Sequence, residues 1–115
     1  MNVLIVEDIG FVRLLLNDII GKQGHVVVGE ADNGEDGYHL YKILKPDVVF
    51  LDIAMPGWDG FKTMREIKRL DTDAQIVFCS AFARKEDVLQ AIRLGAADFI
   101  AKPFQEEQLA EKLKN

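Results

Sequence analysis

The sequence predicts an α/β fold: a five-stranded parallel sheet with five helices laid over both of its faces. Three observations carry this expectation. Short runs that are apolar at every position recur five times along the chain. Segments with an apolar residue every three or four positions lie between them. Gly and Pro stand where one kind of segment gives way to the other.

In chain order, VLIV at 3–6 is the first fully apolar run. A helical stripe follows, made of Val12, Leu15, Leu16 and Ile19 and closed by Gly24. VVV at 26–28 is the second strand. A helix over 35–44 comes next and is the weakest, because Gly37 costs ~1 kcal/mol relative to Ala inside a helix. VVFL at 48–51 is the third strand, and the MPG at 55–57 turns the chain into a helix striped by Phe61, Met64, Ile67 and Leu70. IVF at 76–78 is the fourth strand; Val88, Ala91 and Ile92 mark the fourth helix, stopped by Gly95. FIA at 99–101 is a weaker fifth strand, and Leu109 and Leu113 mark the last helix. Runs rich in Val and Ile, with no polar alternation, fit strands covered on both faces. Strict alternation of strand and helix fits parallel strands joined by right-handed crossovers.

The 115 residues fit a single domain, 1–115. A chain of this size buries roughly 65% of its unfolded surface, enough for a core without covalent staples. Hydrophobic residues are 49% and charged residues 29%, with a formal net charge of −5. That charge argues against a nucleic-acid backbone or an anionic membrane as a direct partner. The one cysteine, Cys79, excludes an internal disulfide and reads as an inert core thiol. No apolar run approaches the ~20 residues of a membrane span. The start MNVLIVED lacks the basic flank and cleavage site of a signal peptide. No membrane insertion and a cytoplasmic location are therefore expected.

Ligands of open parallel sheets bind beyond the carboxyl ends of the strands. The first strand ends in Glu7 and Asp8, the second in Ala31 and Asp32, the third in Asp52, the fourth in Ser80 and the fifth in Lys102. Acids, a hydroxyl and an ammonium thus converge on one edge. Clustered carboxylates repel one another and call for a cation. Hard oxygen donors suit Mg²⁺ (or Mn²⁺), and no His or Cys pair at zinc spacing accompanies them. Ser80 and Lys102 can hold phosphoryl oxygens, and a carboxylate can attack phosphorus. Asp52, on the central strand, is the best-placed nucleophile. Plainer readings stand beside these. Asp8 or Ser80 could cap a helix, Asp52 could form a turn, Lys102 could be a surface lysine and Phe99 could be core. His25, His39 and Trp58 have no assigned role.

VLIVED, FLDIAMPGWDG, IVFCSA and ADFIAKPF, in this order and over essentially the whole chain, resemble the receiver domains of two-component response regulators. Among these the chain is most similar to single-domain chemotaxis regulators of the CheY type. The resemblance implies the flavodoxin/CheY-like strand order 2-1-3-4-5. It implies Asp52 as phospho-acceptor, Asp8 as direct metal ligand, Glu7 as water-mediated ligand and the Ala54 carbonyl as a further ligand. It implies Lys102 as the phosphate-pairing lysine, Ser80 as a switch hydroxyl and Phe99 as a switch aromatic. The Lys102–Pro103 bond is expected to be cis. Ala54 and Phe82 flank the approach of water and are apolar, so slow loss of the phosphoryl group is expected.

The implied function is a phosphorylation switch, not a metabolic enzyme. It is charged by a sensor histidine kinase and acts on a downstream target, such as the flagellar motor switch, through its fourth helix, fifth strand and fifth helix. A phosphorelay intermediate and the receiver part of a longer regulator are alternatives. An aspartate-nucleophile phosphatase fits less well, lacking Asp-x-Asp after the first strand. A flavodoxin-like flavin binder also fits less well, because Glu7 and Asp8 would repel its phosphate.

Overall fold

The structure, a computed structural model, describes residues 1–81, 84–102 and 105–113, with Lys112 described by its backbone alone. Phe82 and Pro103 lie outside the described residues, and with them the expectations about water access and the Lys102–Pro103 bond. The element order is β1 (Asn2–Val6), α1 (Gly10–Lys22), β2 (Val26–Ala31), α2 (Gly34–Leu44), β3 (Val48–Asp52), α3 (Gly60–Leu70), β4 (Ile76–Ser80), α4 (Lys85–Leu94), β5 (Asp98–Ala101) and α5 (Glu106–Lys112). All neighbouring strands are parallel and the sheet order is β2-β1-β3-β4-β5.

Alternate residues of the central strands feed two cores, as the period of a strand requires. Leu4, Val6, Val49, Leu51, Ile76 and Phe78 meet Tyr41 of α2, Phe61, Met64 and Ile67 of α3 and Ala91 of α4. Val3, Ile5, Val48, Phe50, Val77 and Cys79 meet Leu16, Ile19 and Ile20 of α1, Leu109 of α5 and Leu113 at its C-cap. Every residue of β3 and β4 is buried, which explains their unbroken apolar runs. Full burial of a single Leu or Ile side chain contributes about 1.5–3 kcal/mol.

Four local expectations are corrected. The run at 26–28 lies on the sheet's edge, where Val26 is 58% exposed, so it is not covered on both faces. In α1 the buried stripe is Leu16, Ile19 and Ile20, and Leu15 points outward. Leu70 and Ile92, expected on apolar stripes, are exposed, because α3 turns its last residue away and α4 buries only Ala91 fully. Gly37, expected to weaken α2, is instead what lets α2 lie down on β1. A Cβ there would stand 2.6 Å from Val6 Cγ2 and 2.9 Å from Val6 Cγ1. Among the described residues no helix is long and apolar enough to cross a membrane.

Candidate functional site

The carboxyl edge of the sheet collects the residues singled out in the sequence. Glu7 follows β1 directly, and its N–H donates to the Ala31 carbonyl of β2 at 3.0 Å. Asp52 is the last residue of β3 and Ser80 the last of β4. Lys102 follows β5 and donates its N–H to the Ser80 carbonyl at 2.7 Å. Glu7, Asp52 and Ser80 are buried, at 1%, 5% and 5% exposure, which is unusual for such groups unless something compensates them.

One carboxylate oxygen from each of Glu7, Asp8 and Asp52 lies within 4.8 Å of the other two. The Lys102 ammonium donates a short hydrogen bond to Glu7 Oε1 and stands 3.4 Å from Asp52 Oδ1. Lys102 is thus tied first to Glu7 and only second to Asp52. The other Glu7 oxygen, Oε2, accepts from the Ile9 N–H at 3.2 Å. Burial pushes the Asp52 carboxyl upward. Lys102 opposes this, the charge of Glu7 and contacts with Glu7 and Asp8 add to it, and the balance stands at about 7. Burial pulls the Lys102 ammonium downward, but Glu7 and Asp52 outweigh it and hold it above its ordinary value. Cys79, paired in register with Asp52, is buried, and that burial pushes its thiol up to about 12, in keeping with an inert core group.

The plain readings of Asp8 and Ser80 fail here. The N-cap of α1 is Ile9, which makes no side-chain cap, and the N-cap of α4 is Arg84, four residues beyond Ser80. Asp8 Oδ1 is instead buried with no hydrogen-bond partner among the described residues. A buried, unpartnered carboxylate oxygen beside two further carboxylates is the donor set a hard divalent cation requires. The residues present therefore fit Mg²⁺. Asp32 does not join them; it accepts from Asn33 Nδ2 at 2.8 Å and lines a neighbouring groove with Arg13 and Glu30.

Ala54 lies exposed in the loop that leaves β3. That loop folds back tightly: the Gly60 N–H donates to the Ile53 carbonyl at 2.8 Å, and a Cβ on Gly60 would stand 2.4 Å from the Asp52 carbonyl oxygen. Asp59 then caps α3 by accepting from the Lys62 N–H at 2.8 Å. Gly60 was not singled out in the sequence, although a Gly directly after a capping Asp is a visible signal of close approach. Phe99, half-buried on β5, packs on Phe78 with ring centroids 6.4 Å apart. Trp58, left without a role, packs against Tyr38 with the rings tilted and their centroids 5.7 Å apart, and lies beneath the Lys62 ammonium at 5.0 Å.

A doubly wound sheet in this strand order, with an acid trio and a lysine at its carboxyl edge, defines a class of α/β proteins whose chemistry is set at one loop cluster. Residues 3–114 match the response regulator receiver domain, and the chain belongs to that family. It is a receiver domain of two-component signalling, a signalling protein and not a metabolic enzyme. The chemotaxis protein CheY of Thermotoga maritima is 48% identical over 112 residues, spanning 97% of this chain and 93% of that protein. The chemotaxis protein CheY of Bacillus subtilis is 44% identical over the same share of each. A chain from the crystal structure of the CheX-CheY-BeF3-Mg+2 complex of Borrelia burgdorferi superposes with a TM-score of 0.95 at 31% identity, over 98% of this chain and 86% of that one.

Proposed function

We propose that residues 1–115 form a phospho-accepting domain in which Asp52 takes a phosphoryl group from a histidine of a sensor kinase in a Mg²⁺-dependent reaction. The observation that carries this reading is the buried Asp52 carboxylate, grouped with the Asp8 and Glu7 carboxylates and 3.4 Å from the Lys102 ammonium. An Asp52 oxygen attacks phosphorus, the P–N bond to the donor imidazole breaks, and its electron pair stays on that nitrogen, which takes up a proton. Asp8, Asp52 and the Ala54 carbonyl, with Glu7 through water, would hold the Mg²⁺ (or Mn²⁺), which would supply charge neutralisation for the acids and for the phosphoryl oxygens. Lys102 shifts from Glu7 onto a phosphoryl oxygen, and the Ser80 hydroxyl donates to another.

The Ser80 movement vacates space for Phe99 and remodels the α4-β5-α5 face, through which a partner protein is controlled in the cytoplasm. The near full-length likeness to chemotaxis regulators supports a chemotaxis role, with the flagellar motor switch as the target to try first. The test is intact-mass measurement after incubation with acetyl phosphate and Mg²⁺. Wild type should gain one phosphoryl group and Asp52→Asn none. Equal gain by both would remove Asp52 from this role.

A further inference from the structure

We propose that Arg13 is a positioning residue for the metal site, one that holds the peptide unit joining Glu7 to Asp8 and is itself tethered to Glu30 on β2. This rests on the Mg²⁺ reading of the acid trio. Arg13 Nη1 donates to the Glu7 carbonyl oxygen at 2.7 Å. That carbonyl belongs to the peptide group whose N–H is Asp8's own, so its plane sets where both carboxylates point. The other side of Glu7 is fixed by its N–H to the Ala31 carbonyl. Arg13 Nε lies 3.4 Å from Glu30 Oε1, and Asn17 Nδ2 donates to Glu30 Oε2 at 2.7 Å. Glu30 is thus held by two residues of α1, one turn apart, and passes that order to the guanidinium. The fork geometry of Arg allows one side chain to serve a carbonyl and a carboxylate together.

The ordinary alternative is a partly exposed ion pair that does little, since such pairs contribute little to stability. A second alternative is a bare charge effect. A guanidinium near an acid trio disfavours a cation there, so removing it should strengthen Mg²⁺ binding. Positioning predicts the opposite sign. Without Arg13 the Glu7–Asp8 peptide unit loses its hold, Asp8 is no longer preorganised, and Mg²⁺ binding should weaken.

The experiment is calorimetric Mg²⁺ titration of the full chain, with the metal-free melting temperature of each variant as a control on folding. Arg13→Met should weaken Mg²⁺ binding about tenfold while the metal-free melting temperature stays within a few degrees of wild type. Arg13→Lys retains the charge but not the fork, and should also bind more weakly; wild-type affinity in this variant would overturn the proposal even if Arg13→Met does not fold. Glu30→Ala should weaken binding in the wild-type background and have no effect in the Arg13→Met background, because its influence passes through Arg13. Equal effects in both backgrounds would mark long-range charge and overturn the tether. Unchanged or tighter binding by Arg13→Met overturns the inference alone, whereas no Mg²⁺ binding by wild type overturns the metal site with it.

Discussion

Asp52 is where the energetics of the site are concentrated. Its carboxyl titrates near 7 in the folded chain, raised from 3.8, because burial and the Glu7 and Asp8 carboxyls outweigh Lys102. Between these two values the folded protein holds more protons than the unfolded chain, so stability falls as pH rises through that window. Metal-free wild type should therefore melt at a lower temperature at about pH 7.5 than at about pH 5, and Asp52→Asn should flatten most of that slope. An equal slope in the variant would locate the strain in other groups. Mg²⁺ should bind more tightly as pH rises toward 7 and release a proton as it does so, which calorimetry in buffers of different ionisation enthalpy would detect. The identity of the acids was legible in the sequence, because each stands where an apolar run stops. Two features were not. Lys102 pairs with Glu7 from 95 positions away, and nothing local marks that preference. Arg13 acts on a backbone carbonyl, and a main-chain acceptor leaves no trace in side-chain patterning.

At the scale of elements, α2 shows how propensity and packing can point in opposite directions. Ala is favoured over Gly by ~1 kcal/mol inside a helix. Yet Gly37 and Val6 are in such close contact that an added methyl must displace a fully buried, β-branched neighbour. Gly37→Ala should destabilise the fold by about 1–2 kcal/mol in urea unfolding, since overpacking outweighs the propensity gain. Adding Val6→Ala should make the Gly37→Ala change far less costly than it is alone. A more stable single variant would mean that α2 can lift from β1 freely. The strands were legible because β3 and β4 are buried throughout. The edge position of β2 was not, since three consecutive valines look the same on an edge as in the centre. The phase of α1 was misjudged by one position, because its run of three leucines satisfies more than one helical stripe.

On the scale of the whole molecule, α1 and α5 share one face of the sheet, and α2, α3 and α4 the other, with the acid trio at the edge where both meet. The proposed switch runs from Ser80 on β4 to Phe99 on neighbouring β5. Beryllofluoride with Mg²⁺, in place of a phosphoryl group, should move amide resonances of α4, β5 and α5 as well as those of the metal loop. A minor population of that state is expected before any ligand is added. Shifts confined to the loops after β1 and β3 would reject the switch. The Glu7–Lys102 tie has a further consequence, for a chain still being made. Its two partners are 95 residues apart, so a nascent polypeptide holding the first four strands already displays Glu7, Asp8 and Asp52 but has no ammonium to set against them. The ribosome must deliver nearly the whole domain before the acids are balanced.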